Sequence, residues 1–411
     1  MKSKFYILLK LAIIAGIIST LYCCATPIKE ILYTPEKPSQ TTESLANQIN
    51  TFSFDLFNQL KANAPDENII LSGFSIETAI AMTGEGAKEN TASEIQSTLY
   101  LSSDTKQRTA QFQHLIESIN RPTTNYTLTT VNDLWLNNKK SLLPSYQSLI
   151  KTYYNGSITP LDFENKPQES TNTINTWIAD HTNQMINDLI PLGFITDLTQ
   201  LILTNAIYFK GQWNTKFKAE HTIQEPFTLS SKNTIQVPMM FIKSDFNYTE
   251  DQDYQIIELP YKGSSISFMA ILPKPSENKL TPLTHSKIDQ WSQQLIKQNV
   301  TLRLPKFTSK SKYSLKEPLN KLGMISAFND SANFSGIDGT KQLKIADVIH
   351  EAVVKVNEEG SEAAAATGVI MITKASPIDN TITMTINRPF TFLIKYRDVI
   401  LFLGHVADPS S

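Results

Sequence analysis

The stretch from Val356 to Asn380, VNEEGSEAAAATGVIMITKASPIDN, most constrains what this chain can fold into. It begins acidic, passes through four successive alanines, and ends in an apolar run that stops at a lone lysine, Lys374. By propensity, Ser361 caps a short helix through Glu362 and Ala363 to Ala366, because alanine is the best helix former and serine a good cap. Thr367, Gly368, Val369 and Ile370 are poor helix formers, however, and Ile372 and Thr373 after them favour strands. At period two, Ser361, Ala363, Ala365, Thr367, Val369 and Met371 share one face of a strand and carry no charge, while Glu362 falls on the other face. Bounded by Gly360 and Pro377, the segment reads as an exposed loop that can also become a half-buried strand without burying an ion.

The first 25 residues are a separate matter. Lys2, Lys4 and Lys10 precede an apolar run from Leu11 to Leu21, and Cys23-Cys24-Ala25 follows, the layout of a secretory signal peptide. A run of eleven residues is too short to span a bilayer. Two processing routes are open. Cleavage after Ala25 releases a soluble protein, and Leu21-Tyr22-Cys23-Cys24 read as a degenerate bacterial lipobox leaves a lipid on Cys24. Either route predicts a secreted or extracytoplasmic protein, touching a membrane only through that lipid. Ile28 to Glu43 contains Pro and Thr and is aperiodic, so residues 26–44 read as a tether.

Both cysteines lie in this leader, so the mature chain is expected to have no disulfide, no thiol nucleophile and no cysteine metal site. Removing the leader takes away three lysines and no acids, moving the formal charge from −2 to −5, which gives nucleic acid nothing to bind. His114, His181, His221, His285, His350 and His405 are each at least forty residues from the next. His350-Glu351 starts like a zinc-protease motif, but Val353, Val354 and Lys355 stand where the second histidine belongs. Ser276-Lys279 and Ser309-Lys312 are Ser-x-x-Lys strings in polar, lysine-rich surroundings and read as solvated loops. Neither a nucleophile elbow nor a phosphate loop is present. The reading is no metal, no cofactor and no catalytic residue.

With 411 residues, 41% hydrophobic and 18% charged, the chain is long enough for an ample core, and the length alone favours two or three domains. The pattern favours one. Leu45, Ile49, Phe52, Leu56 and Leu60 recur at helical spacing, and Ala64-Pro65-Asp66 ends them. A second helical stretch follows Ser72, and strand signals dominate from Leu201 onward. Lys262-Gly263-Ser264-Ser265 joins two strands, Ile256 to Pro260 and Ile266 to Leu272. Arg397-Asp398 joins Phe390 to Tyr396 and Val399 to Val406, and Thr381 to Ile386 alternates strictly. Helices first and strands later, with no repeat or Gly/Ser linker across 45–409, predict one large α+β domain.

Six short stretches then carry a family resemblance: Asn68 to Ser75 (NIILSGFS), Thr204 to Trp213 (TNAIYFKGQW), Val237 to Met240 (VPMM), Leu304 to Phe307 (LPKF), Leu343 to Ala363 (LKIADVIHEAVVKVNEEGSEA) and Asn387 to Phe390 (NRPF). Their order, with the acidic-glycine-alanine segment after them, resembles a serpin from about Leu45 to Pro409. The resemblance implies three β-sheets, about eight or nine helices, and an exposed reactive-centre loop over residues 358–380 that can insert as a new strand of the largest sheet. It implies a suicide inhibitor of serine proteases rather than an enzyme, working as a monomer. Glu358, Glu359, Gly360, Ser361, Glu362, Ala363, Ala364, Ala365, Ala366 and Thr367 would form the loop hinge. The family's spacing from the first hinge glutamate places the cleaved bond at Lys374–Ala375, suiting a trypsin-like protease; Met371–Ile372 is the alternative bond.

Ser72, Ser75, Asn205 and His350 match a polar cluster beneath the opening strands, and Trp213 matches a tryptophan at the loop's entry point. One departure stands out: Gly73 replaces the family's proline in Ser72-Gly73-Phe74-Ser75, which is expected to loosen that turn. Gln111 to Asn120, where polyanion-activated members carry basic residues, holds only His114 and the acidic Glu117, so no polyanion activation is expected. The other readings are a non-inhibitory serpin acting as carrier, chaperone or decoy, and a hydrolase.

Overall fold

A computed structural model describes residues 45–121, 123–275, 281–361 and 381–411. The leader 1–25 and tether 26–44 lie outside the described residues, so their expected roles are not addressed by the fold. The apolar spacing from Leu45 to Leu60 becomes α1 (Leu45–Asn63), and all five marker residues are buried. The helix is buried nearly all round, because its polar positions have distant backbone partners. Asn50 Nδ2 donates to the Asp398 carbonyl at 2.7 Å, and Asn58 Nδ2 donates to the Leu283 carbonyl at 2.9 Å. α2 (Gly73–Gly84) starts at Ser72, whose Oγ accepts from Ser75 N at 3.3 Å as an N-cap. Every residue from Gly73 to Thr83 is buried, the pattern of a helix enclosed by the core.

Gly73 permits the close approach of these two helices. A Cβ there would sit 1.8 Å from Ser53 Oγ and 2.8 Å from Ser53 Cα, so any larger residue would push α1 away. The glycine thus has a packing role, besides widening the unfolded ensemble. Seven further helices complete the set of nine among the described residues: α3 (Glu89–Thr98), α4 (Thr105–Ile119), α5 (Pro144–Tyr153), α6 (Pro167–His181), α7 (His285–Gln294), α8 (Lys316–Lys321) and α9 (Ser335–Asp338). The last three follow Leu201, and three strands precede it, so helices and strands interleave more than the sequence suggested.

Six strands form the sheet that positions the site. Its spine, β4 (Leu201–Gln212), pairs antiparallel with β2 (Tyr126–Asn137) from Tyr126↔Gly211 to Leu136↔Leu201, and β2 pairs parallel with β3 (Ser157–Leu161). Beyond β4 lie β12 (Gly360–Ser361), β11 (Val348–Asn357) and β10 (Phe307–Ser314), the last antiparallel to β11. The inner face of this sheet, with Leu203, Ile207 and Phe209 of β4 and Val348, Ala352, Val354 and Val356 of β11, joins the main core. The outer face carries Ile202, Ala206, Ile349 and Val353, which form a second cluster with Ile174 and Ile178 of α6.

The other nine strands divide at one long strand, β6 (Thr234–Glu250). On one side, β1 (Ile69–Leu71), β15 (Val399–Val406), β14 (Phe390–Tyr396), β8 (Ile266–Pro273) and β7 (Tyr254–Pro260) are successive antiparallel neighbours, and β7 meets Asn247 to Glu250 of β6. On the other side, β5 (Ile223–Thr228) pairs with Thr234 to Met239 and β9 (Ile296–Pro305) with Met239 to Tyr248, while β13 (Ile382–Thr385) adds to β9. The two smaller sheets therefore share β6, and one hydrogen-bonded ladder runs through both. Both expected hairpins are present, with Gly263 at φ +88° and Arg397 at φ +53° in their turns.

Candidate functional site

The site is the seam between β4 and β11, which has two unlike ends. At its base the strands pair directly and in parallel, from Val348↔Leu203 to Glu351↔Ala206. At its head they stand one strand apart, with Gly360 and Ser361 seated between them: Ser361 opposite Val356 and Gly211, Gly360 opposite Asn357 and Gln212. Continuing the base register upward also brings Val356 level with Gly211, so the head is the same sheet with one strand added. Among the described residues, β4 and β11 make no pair with each other between these ends.

Asn357 turns the chain into this position. Its Oδ1 accepts from Glu359 N at 3.0 Å and Gly360 N at 3.3 Å, and Gly360 adopts φ +150°. A Cβ at Gly360 would lie 1.9 Å from the Gly211 carbonyl oxygen and 2.7 Å from Gln212 Cα, so backbone contact requires glycine here. The rim is ionic. Glu358 accepts from Thr222 Oγ1 at 2.8 Å and pairs with Lys306 at 3.0 Å, and Glu359 pairs with Lys216. Burial works to raise the Glu358 pKa, but hydrogen bonds from its own backbone, Lys306 and Thr222 outweigh it and hold the carboxyl below the usual range.

Below the rim the contacts are aromatic. Trp213 donates from Nε1 to the Asn357 carbonyl and from its backbone N to the Glu359 carbonyl, both at 2.8 Å. Its ring stacks on Tyr261 with centroids 4.5 Å apart. Tyr261 is fully buried, and its hydroxyl lies 2.6 Å from Ser361 Oγ. Gly211 leaves room for that ring, since a Cβ there would sit 3.0 Å from Tyr261 Cδ1 and 2.6 Å from Phe209 Cζ. Ser361 is 1% exposed and faces inward, the face that period two assigned to it.

At the base, His350, Asn205 and Asn132 form one row across β11, β4 and β2. Ser72 N donates to His350 Nε2 at 3.1 Å. That makes Nε2 an acceptor, leaving the proton of a neutral ring on Nδ1, 3.2 Å from Asn205 Oδ1. Asn205 Nδ2 donates to the Ser75 carbonyl at 2.7 Å and to Asn132 Oδ1. Ser75 thus enters through its backbone, and its hydroxyl has no hydrogen-bond partner among the described residues. Burial pushes the His350 pKa down to about 3, so the ring is neutral at physiological pH and serves as a wedge between strand and helix.

The structure therefore brings together Glu358, Glu359, Gly360, Ser361 and Trp213 at the head, and Ser72, Asn205, His350 and the Ser75 backbone at the base. Glu362, Ala363, Ala364, Ala365, Ala366 and Thr367, with the candidate bonds Lys374–Ala375 and Met371–Ile372, lie outside the described residues. Seven participants went unassigned in the sequence: Tyr261, Asn132, Thr222, Lys306, Lys216, Asn357 and Gly211. Lys306 stands inside the Leu304 to Phe307 anchor, and Tyr261 directly before the Lys262-Gly263 turn, but only tertiary pairing gives either a role.

Comparison with known proteins agrees with this architecture. The profile of the Serpin (serine protease inhibitor) family matches residues 47–409. The chain is 39% identical over 374 residues to an uncharacterized serpin-like protein of Methanosarcina acetivorans, covering 89% of this chain and 86% of that protein. It is 35% identical over 381 residues to the leukocyte elastase inhibitor of Bos taurus, covering 89% and 100%. A solved structure of thyroxine-binding globulin with thyroxine superimposes at a TM-score of 0.80 with 29% identity, over 89% of this chain and 99% of that one. Those names include both an elastase inhibitor and a thyroxine-binding globulin. The split sheet with a glycine-led strand entering its head, the polar row at its base and these matches together identify the chain as a member of the serpin family.

Proposed function

We propose that this serpin inhibits trypsin-like serine endopeptidases by suicide trapping. The protease serine attacks the Lys374 carbonyl, the Lys374–Ala375 bond breaks, and the acyl-enzyme is carried away as the loop enters the seam. A lysine at the cut suits a specificity pocket lined by a carboxylate. The observation that carries the reading is the seating of Gly360 and Ser361 between β4 and β11 in the register of an added antiparallel strand.

Extending that register supports it further. In an inserted loop Ala363 would come level with Val354 and Phe209, Ala365 with Ala352 and Ile207, Thr367 with His350 and Asn205, and Val369 with Val348 and Leu203, by extrapolation of the pairing at Gly360 and Ser361. Small apolar residues meet the apolar rows, and the one hydroxyl among these four meets the one polar row. The parting of His350 from Asn205 would then leave polar groups that Thr367 can satisfy. Polyanion activation is not part of this proposal: on α4, Arg108 is engaged by Glu85 at 2.7 Å, and Gln111 to Asn120 adds no other strong base. The proposal places the inhibitor outside the cytoplasm by virtue of the leader read over residues 1–25, and takes it to act as a monomer.

The test is incubation with trypsin, chymotrypsin and elastase followed by denaturing electrophoresis. A detergent-stable complex with trypsin is expected, with the released C-terminal peptide starting at Ala375. A peptide starting at Ile372 moves the bait to Met371, and the absence of a complex with any of them favours a carrier, chaperone or decoy.

A further inference from the structure

We propose that the Tyr261 hydroxyl is the latch that keeps Gly360 and Ser361 inside the sheet, and so fixes the resting position of the hinge. The Oη–Oγ separation is 2.6 Å, with Tyr261 fully buried and Ser361 1% exposed. In the described structure each hydroxyl is the partner of the other, so withdrawal of the hinge leaves the Tyr261 hydroxyl unmatched in the core. The ring itself is immobile: it stacks on Trp213 at 15° and meets the Phe209 edge at 4.9 Å. The other hinge contacts are half-exposed ion pairs at Lys306 and Lys216, the Thr222 bond to Glu358, backbone bonds from Trp213 and Phe217 to the Glu359 and Glu358 carbonyls, the Asn357 Oδ1 bonds to the Glu359 and Gly360 amides, and the ladder pairing of Gly360 and Ser361 with β4 and β11. Among the described hinge side chains, Ser361 alone reaches the core below. Beside the ladder pairing of Gly360 and Ser361, the Tyr261 bond is therefore the side-chain contact that a seated hinge makes and a hinge lifted out at Gly360 loses.

Hydrogen exchange on the full chain tests this with Tyr261→Phe, Ser361→Ala and the double variant. Each single change leaves one buried hydroxyl without its partner, and the Gly360 and Ser361 amides should exchange roughly tenfold faster than in the parent. The double change has no latch and no orphan, so its exchange should stay near that of Ser361→Ala and well below the product of the two single accelerations. Parent-like exchange in both single variants overturns the latch, as does a double variant whose acceleration is the product of the two singles. If Tyr261→Phe fails to fold, Ser361→Ala decides alone, because it breaks the same bond and leaves the aromatic stack in place.

The effect on trapping rests on the inhibitory reading: a lifted hinge starts insertion later, so Tyr261→Phe should consume several-fold more inhibitor per protease trapped. A parent that traps no protease sinks that reading, while the exchange rates still decide the latch.

Discussion

The head and the base of the β4–β11 seam close the same gap by opposite means. At the head the strands are apart, and a two-residue strand is held by a hydroxyl pair, backbone bonds and ion pairs to lysines that are 38–40% exposed on their side chains. At the base the strands pair directly over a neutral network of buried His350 and Asn205, half-buried Asn132 and the buried start of α2. Water competes for the ion pairs at the head and is excluded from the His350–Asn205 contact at the base. Opening should therefore begin at the head, and the main resistance should come where Thr367 would meet His350.

The largest effect should come from breaking the head with Ser361→Arg. An arginine on the inner face would have to lose its hydration beside Val356, Gly211 and Tyr261 with no carboxylate on that face. Slower insertion lets the acyl-enzyme hydrolyse, so cleavage at Lys374 should continue while the trapped fraction falls at least tenfold. Glu362→Arg, on the other face of the strand, should keep most inhibition. Equal trapping by Ser361→Arg would remove the insertion argument.

Stability should separate the two ends next. Asn205→Ala strands the Ser75 carbonyl, the Asn132 side chain and the His350 Nδ1 proton, and should lower stability by roughly 2–4 kcal/mol in denaturant titration. Lys306→Ala removes one half-exposed ion pair at the rim and should lower it by about 1 kcal/mol or less. The reverse order would place the resistance at the head.

A smaller difference should appear with pH. The folded pKa of His350 lies below its unfolded value, so its contribution is fully present above about 6.5 and is lost as pH falls toward about 3. The slope is at most about 1.4 kcal/mol per pH unit, and a His350→Gln protein should show a curve flatter by up to one proton between pH 6 and 4. Glu358, whose pKa is lowered, adds stability above its ordinary value of 4.5 and loses it only below that. On acidification the base should thus weaken before the rim. Parallel curves for parent and His350→Gln would contradict the neutral, buried histidine.

Features legible in the sequence were those written locally. The Lys262-Gly263 and Arg397-Asp398 turns announced their hairpins, the spacing of Leu45 to Leu60 announced α1, and the anchor residues announced the family. The all-round burial of α1 was not legible, because Asn50 and Asn58 read as a solvent face until Asp398 and Leu283 supply their partners. β12 was legible only as one of two options, since the segment from Ser361 read as helix or as strand, and the seam is what makes Gly360 and Ser361 a strand. Tyr261 and Asn132 owe their roles to cross-strand neighbours more than seventy positions away. Nothing in their own surroundings distinguishes them from other core polar residues.

The central claim is that the chain folds with a place in its main sheet which the loop can fill. Serpins are a known instance of strain stored in this way and released by loop insertion. Thermal unfolding of the intact protein against the same protein nicked at Lys374 tests it most directly. The nicked form should melt well above the intact one, since the freed strand gains main-chain pairing along β4 and β11; an equal or lower melting temperature after the nick would contradict the account.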